Sequence, residues 1–317
     1  MQKTIVRKSN CPGMVMQSFR LMGNHFEISV PLSGQADSLI QAAVDEIRRI
    51  ERLLTTYNED SQTNLINRNA GISPVTVDAE MSGLIERSLK ISDLTQGAFD
   101  ITYGSVDKRF WNFDKNMTSL PDRKEALKRV ELINYRNVIL DKEKRTVFLT
   151  QKGMKIGFGG IGKGYAAERA KILLKNLGVE SGIVNAAGDL TVWGKQPDGK
   201  SFTVGIADPE LADCPFSYLE LSEMAVATSG NYEKYVMIEG KRYSHTIDPR
   251  TGYPVSGIKS VTIICSNAEI ADAMATPVMV MGVKAGLDLV NQIRGIGCII
   301  IDDMNKLYVT DNIRLCK

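Results

Sequence analysis

Three stretches of the chain carry residue types and spacings with chemical meaning. In the first, Gly157-Phe158-Gly159-Gly160-Ile161-Gly162-Lys163-Gly164, the glycines at 157, 159 and 162 spell GxGxxG, and Gly157, Gly162 and Lys163 nearly spell a P-loop. Gly164 stands where a P-loop needs a Ser or Thr hydroxyl for magnesium. Glu180 precedes the next strand instead of ending it, so the ribose-binding acid of a dinucleotide fold is also missing. What remains is bare backbone entering a helix, whose N–H groups can face a phosphate; a glycine turn packed tightly on a sheet is the plainer reading. The second stretch, Tyr243 to Pro254, places His245 between two short strands beside an Asp-Pro turn, where a scaffold-held loop can present an acid or base. The third holds Asp272 and Thr276, which meet on one helix face at a four-residue spacing. A carboxylate and a hydroxyl so placed are hard oxygen ligands suited to Mg²⁺, although the same pair can simply solvate a helix. Pro277 follows directly and frees a carbonyl one turn earlier.

The elements that must position these residues follow from periodicity. Phe26 to Val30 alternates like a strand, and the apolar steps Leu39, Ile40, Ala43, Ile47, Ile50 and Leu54 predict an amphipathic helix over Ala36 to Leu54. A polar loop with Asn58, Asp60 and Ser61 follows, then a helix from Asp78 to about Thr95 stopped by Gly97. Asp107 to Asp122 reads as an aromatic, polar surface excursion, and Val138 to Leu140 with Thr146 to Thr150 as a hairpin. A helix from about Tyr165 to Leu177 succeeds the glycine loop, short strands dominate to Cys265, and helices return at Ala268 to Met281 and Lys284 to Ile293. Strands at Cys298 to Ile301 and Leu307 to Thr310 close the chain. Helices and strands fall in blocks without βαβα alternation, which predicts an α+β fold with segregated helices. We read residues 1–17 as a polar arm and 18–317 as one domain without repeats or linkers.

Composition narrows the chemistry. The 317 residues are 43% apolar and 24% charged, with 39 basic against 37 acidic residues and a net charge of +2. That balance argues for a globular chain and against a nucleic-acid partner. Five scattered cysteines without a CxxC imply neither a disulfide framework nor a zinc site. With 2 histidines, a multi-histidine metal centre is excluded; His25, at a strand start without an identifiable partner, reads as structural. No apolar run approaches the roughly 18 residues of a membrane span. The N-terminus has basic residues but no apolar segment after them, and Lys8-Ser9-Asn10 before Cys11 is too polar for a lipoprotein signal. As written the chain reads as cytoplasmic; one trimmed of an export or anchoring leader would look the same.

Taken together, the segments resemble the ApbE family of flavin transferases, which move FMN from FAD onto a Thr or Ser of a target protein. The collinear blocks are Met22-Gly23, Leu54 to Tyr57, Gly97-Ala98-Phe99-Asp100-Ile101-Thr102, Gly159 to Tyr165, Asn185 to Asp189, Ala227-Thr228-Ser229-Gly230-Asn231-Tyr232, Ser244 to Gly252, and Ala271-Asp272-Ala273 with Thr276. The resemblance implies a mixed or antiparallel sheet core with an FAD cleft between two lobes. It implies FAD contacts at Met22, Tyr57, Ala98, Phe99, Asp100, Lys163 and Thr246, with Asp100 accepting from the adenine or ribose. It also implies a Mg²⁺ site from the Gly160 carbonyl, Asp272 and Thr276. For such a transfer we read His245 as the catalytic base, a task suited to an imidazole. The implied partners are FAD and a flavin-acceptor protein, with a homodimer left open. Departures are Gly157 where the family often has Asp, Asn24 for Thr, Ala187 for Gly and Thr246 for Ile. Water in place of the acceptor would make the chain an FAD pyrophosphatase, and loss of chemistry an FAD-binding protein.

Overall fold

The computed structural model describes residues 5–8, 11–106, 119–207, 215–230 and 235–313. Most of the expected excursion from Asp107, and Asn231-Tyr232 of the ATSGNY block, lie outside the described residues. Nine strands form one fully antiparallel sheet: β1 (Ile5–Lys8), β2 (Met14–Leu21), β3 (Asn24–Pro31), β7 (Gly182–Ala186), β8 (Asp189–Trp193), β11 (Met224–Gly230), β14 (Ile258–Cys265), β15 (Gly297–Asp302) and β16 (Leu307–Val309), in that spatial order. Residues 14–21 thus form one strand crossing the boundary drawn at residue 17: its backbone pairs along its whole length with β3, from Met14↔Pro31 to Leu21↔Asn24.

One face of this sheet is covered by three helices, α1 (Ala36–Leu54), α5 (Gly162–Asn176) and α6 (Ala268–Met281). α1 buries Ile40, Ala43, Val44, Ile47, Ile50 and Leu54 along one stripe, as the three- and four-residue spacing requires. Its Arg49 reaches across to α3 (Ala79–Leu94), bonding both oxygens of Glu80 at 2.6 and 2.9 Å, while Tyr165 of α5 donates to the same carboxylate. The opposite face carries a smaller core in which Phe202, Val204 and Leu221 of the hairpin β9 (Phe202–Ala207) and β10 (Pro215–Leu221) pack on Val192, Val226 and Ile264. Sandwiched between these cores, all eight residues of β14 are buried. α7 (Val283–Asn291) follows α6 and packs beside β15. Among the described residues no helix is long and apolar enough to cross a membrane.

A second lobe is built on the three-stranded sheet β4 (Val75–Thr76), β6 (Thr146–Leu149) and β5 (Val138–Asp141), with α2 (Gln62–Arg68) and α4 (Arg123–Arg129) nearby in sequence. Both of these helices have seven residues and were not anticipated. Each is too short and polar for a hydrophobic period, and each is started by a side-chain cap: Ser61 Oγ accepts from Asn64 N at 3.1 Å, and Asp122 Oδ1 from Lys124 N at 2.9 Å. The hairpin β12 (Tyr235–Ile238) and β13 (Lys241–Ser244) leads straight into His245.

Candidate active site

α5 begins at Gly162, inside the glycine loop and earlier than the pattern indicated, so Lys163 and Gly164 lie in its first turn. Gly162 N–H donates to Phe158 O at 2.7 Å, which folds the loop back on itself at the helix entrance. The lack of a side chain at Gly164 is required: a Cβ there would stand 2.1 Å from Ala268 O and 2.6 Å from the Asp272 Cβ. α5 can therefore lie directly on α6, and Gly164 N–H donates to Asp272 Oδ2 at 2.9 Å.

Asp272 faces a second buried carboxyl group, Asp189 at the start of β8, close enough for the two to share a hydrogen bond. Lys163 Nζ forms an ion pair with Asp189, and the Thr228 N–H also bonds that carboxylate. Burial pushes the Asp272 pKa up from the ordinary carboxylate range, and the neighbouring Asp189 charge pushes it further. Asp189 is raised by the same desolvation, with Lys163 opposing. One turn along α6 from Asp272, Thr276 Oγ1 lies 3.0 Å from Ser229 Oγ, next to Thr228 on β11. α5, α6, β8 and β11 thus bring two acids, a lysine and two hydroxyls to one corner.

Several of the expected FAD-contact residues border this corner. The Phe99 ring lies 3.5 Å from where a Gly160 Cβ would be, and Met22 Cε lies 3.6 Å from the corresponding point at Gly162, beside Leu54. Met22 is held at φ 51° in the turn between β2 and β3. Tyr57, three residues past Leu54, is 97% exposed, on a loop braced by Asn64 Nδ2 donating to Thr56 O and Asn58 O. Ala98 is buried. The Asp100 carboxylate already has three protein donors: Thr102 N at 2.8 Å, Thr102 Oγ1 at 2.6 Å and Tyr135 N at 2.8 Å. Its first role is to cap the 3-10 turn Ile101–Ser105 and tie it to the second lobe.

That turn is also the link to His245. Tyr103 Oη accepts from Ile247 N at 3.4 Å, and Ile247 packs with Val106, Val130 and Ile133. Burial raises the Tyr103 hydroxyl to about 12, so it remains a neutral anchor. His245 itself is exposed, at the end of β13, where Ser244 N–H bonds Val255 O at 2.7 Å. Thr246, half-buried, has its N–H on Ser244 Oγ and its C=O on Val255 N. Gly157 has room for a larger residue, since a Cβ would meet only Gly104 Cα at 3.9 Å.

The reading from sequence missed Asp189, Thr228 and Ser229 as members of the corner. Their blocks were noted, but the Lys163–Asp189 and Ser229–Thr276 partnerships join separate elements and have no local signature. The donors present suit a hard cation: Asp272, Thr276 and the half-exposed Gly160 offer oxygen, and two desolvated acids share a single lysine, a deficit of positive charge that a divalent ion would offset. No cluster of three or more His, Cys, Asp or Glu occurs among the described residues.

Known proteins agree with this architecture. The sequence is 32% identical to an FAD:protein FMN transferase of Klebsiella pneumoniae, over 92% of this chain and 88% of that protein. It is 31% identical to one of Treponema pallidum, over 83% and 77%. The fold superposes with a TM-score of 0.82 on the ApbE protein of Thermotoga maritima, at 30% identity, covering 98% of this chain and 97% of that one. The apo form of the Pseudomonas stutzeri flavinyl transferase ApbE gives the same score at 25% identity, covering 97% and 95%. The ApbE family profile matches residues 22–300, and the chain belongs to that family.

Proposed function

We propose that this protein transfers the FMN half of FAD to a Thr or Ser hydroxyl of an acceptor protein and releases AMP. The observation that carries the reading is the corner itself: a glycine-lined helix entrance, Lys163, and the buried pair Asp189 and Asp272, set beside the Phe99 turn that leads to the His245 loop. The names of the relatives support the same activity.

In this reading the pyrophosphate lies over Gly159 to Gly162, where little side-chain bulk keeps it from the backbone. Met22 and Phe99 line the approach, and Tyr57 offers an exposed aromatic face for a flat ring. Asp272, Thr276 and the Gly160 carbonyl would hold Mg²⁺, which when bound polarises a phosphate oxygen and offsets charge on the departing AMP. His245 takes the proton from the acceptor hydroxyl as the new oxygen–phosphorus bond forms and the pyrophosphate bond breaks. Its exposure matches that task, because the acceptor is a macromolecule that must reach it from outside.

The test is to incubate the protein with FAD, Mg²⁺ and a verified flavin-acceptor domain, and to follow the acceptor mass and free AMP. An FMN-sized increase on the acceptor, matched by AMP, is expected. AMP and FMN released equally without acceptor would reassign the chain as a pyrophosphatase, and no turnover of FAD would overturn both readings.

A further inference from the structure

The segment entering the glycine loop, Lys155-Ile156-Gly157, lies in no strand, yet its backbone groups are satisfied by two side chains from elsewhere. Asn67 on α2 accepts from Ile156 N at 2.7 Å and donates to Ile156 O at 3.1 Å. Ser105, at the end of the 3-10 turn, accepts from Lys155 N at 2.8 Å and donates to Lys155 O at 3.2 Å. Gly157 N–H then donates to Ile101 O at 2.9 Å. Gly104 closes the arrangement, since a Cβ there would stand 2.9 Å from Lys155 O and 3.0 Å from Ile156 O. An amide and a hydroxyl thus each act as one rung of a missing β-ladder.

The two clamping residues come from the segments that carry the aromatic contacts. Asn67 sits on the helix that follows the Tyr57 loop, and Ser105 on the turn that follows Ala98-Phe99-Asp100. The far end of the glycine loop is fixed separately, by Gly164 on Asp272. We infer that Asn67, assisted by Ser105, is a positioning residue that sets the entry end of the glycine loop in register with Tyr57 and Phe99, so that the three segments contact one FAD together. The inference rests on the function proposed above. It assigns the clamp to ground-state binding of FAD, with the proton-transfer and carboxylate groups left in place.

The variants Asn67→Ala and Ser105→Ala test it, assayed well below their melting temperatures. For Asn67→Ala the KM for FAD should rise about tenfold, the size expected from losing hydrogen bonds worth about 1.4 kcal/mol in sum, with kcat little changed. Ser105→Ala, at a more exposed site where folding is not at risk, should raise KM about threefold, in proportion to a smaller loss. A purely structural role would lower the folded fraction and the apparent kcat while leaving KM as it was. Either that outcome or unchanged kinetics in both variants would overturn the inference. Amide hydrogen exchange on the full chain gives a readout independent of FAD: exchange at residues 155–160 should quicken in Asn67→Ala, and unchanged exchange removes the clamp. Wild-type protein that fails to use FAD would overturn the proposed function instead, and the exchange measurement would still decide whether Asn67 holds the loop.

Discussion

Asp272 and His245 stand at opposite extremes of packing within the proposed site. Asp272 is 6% exposed, accepts a backbone N–H from α5, faces Asp189, and sits on a helix wedged against the sheet. His245 is exposed at the end of a two-stranded hairpin, held through its neighbours Ser244 and Ile247. Under the proposed function, the difference follows from what each region would meet. A pyrophosphate and a small cation demand oxygens and N–H groups fixed in advance in a dry corner, where electrostatic interactions are strong. An acceptor chain must approach from solvent, so the group that meets it cannot be buried. Substitutions in the first region should therefore damage both fold and activity, and those in the second should separate them.

The sharpest way to break the contrast is Gly164→Ala. Its methyl would overlap Ala268 O and the Asp272 Cβ, so α5 and α6 must part, and a loss of about 3 kcal/mol is expected with activity falling alongside it. Thermal melts and FAD turnover on one preparation check this; a stable, active variant would mean the helices can separate without cost.

Asp272→Ala should come next, lowering Mg²⁺-stimulated turnover by about a thousandfold as the proposed cation loses its carboxylate. Full activity would place the cation elsewhere. His245→Ala should slow transfer by about a hundredfold, within the range for a lost general base, while the KM for FAD and the melting temperature stay near wild type. A large drop in melting temperature would show that the loop is coupled to the core after all.

The corner should also be sensitive to pH. Burial raises the folded-state pKa values of Asp189 and Asp272 above those of the unfolded chain. The native state therefore keeps a proton that the unfolded chain gives up, and this contribution to stability is fully present below about pH 4 and lost as pH rises through the raised values. Without divalent cations, the Asp272→Asn variant should lose less stability than wild type between pH 5 and 8, because the Asp272 carboxyl, pushed up to about 7, gives up its proton within that range; denaturant melts at both pH values read it. Equal slopes would leave the corner without a buried charge to relieve. The smallest structural effect belongs to Tyr57→Ala. A side chain 97% exposed should change the melting temperature by no more than about a degree, while the KM for FAD rises about fivefold through the lost aromatic contact.

What was legible in the sequence follows the range of the interactions. α1 spans the predicted Ala36 to Leu54 because its period arises from one continuous buried stripe. The hairpin of β5 and β6 was visible because its turn is local. Asp272 and Thr276 were visible as a pair because one helix carries both. Asp189 and Asn67 were not singled out, since their partners lie in other elements and no pattern around either residue points across that gap. Asp100 shows the converse: its motif was recognised, but the three protein donors on its carboxylate are known only from the folded chain.

The order of strands in the large sheet has a consequence for how the molecule comes to exist. β3, already paired with β2, finds its second neighbour only when Ile28 meets Val184, β11 must wait for β14, and Lys163, Asp189 and Asp272 come from three successive stretches of chain. Such long-range pairing is slow, because loop closure precedes its reward. During synthesis the first three strands would emerge with the open edge of β3 unsatisfied, and the proposed site would be incomplete until α6 had been made. Nascent chains should accordingly be most prone to self-association before β7 appears, and FAD would act late, on a nearly finished fold.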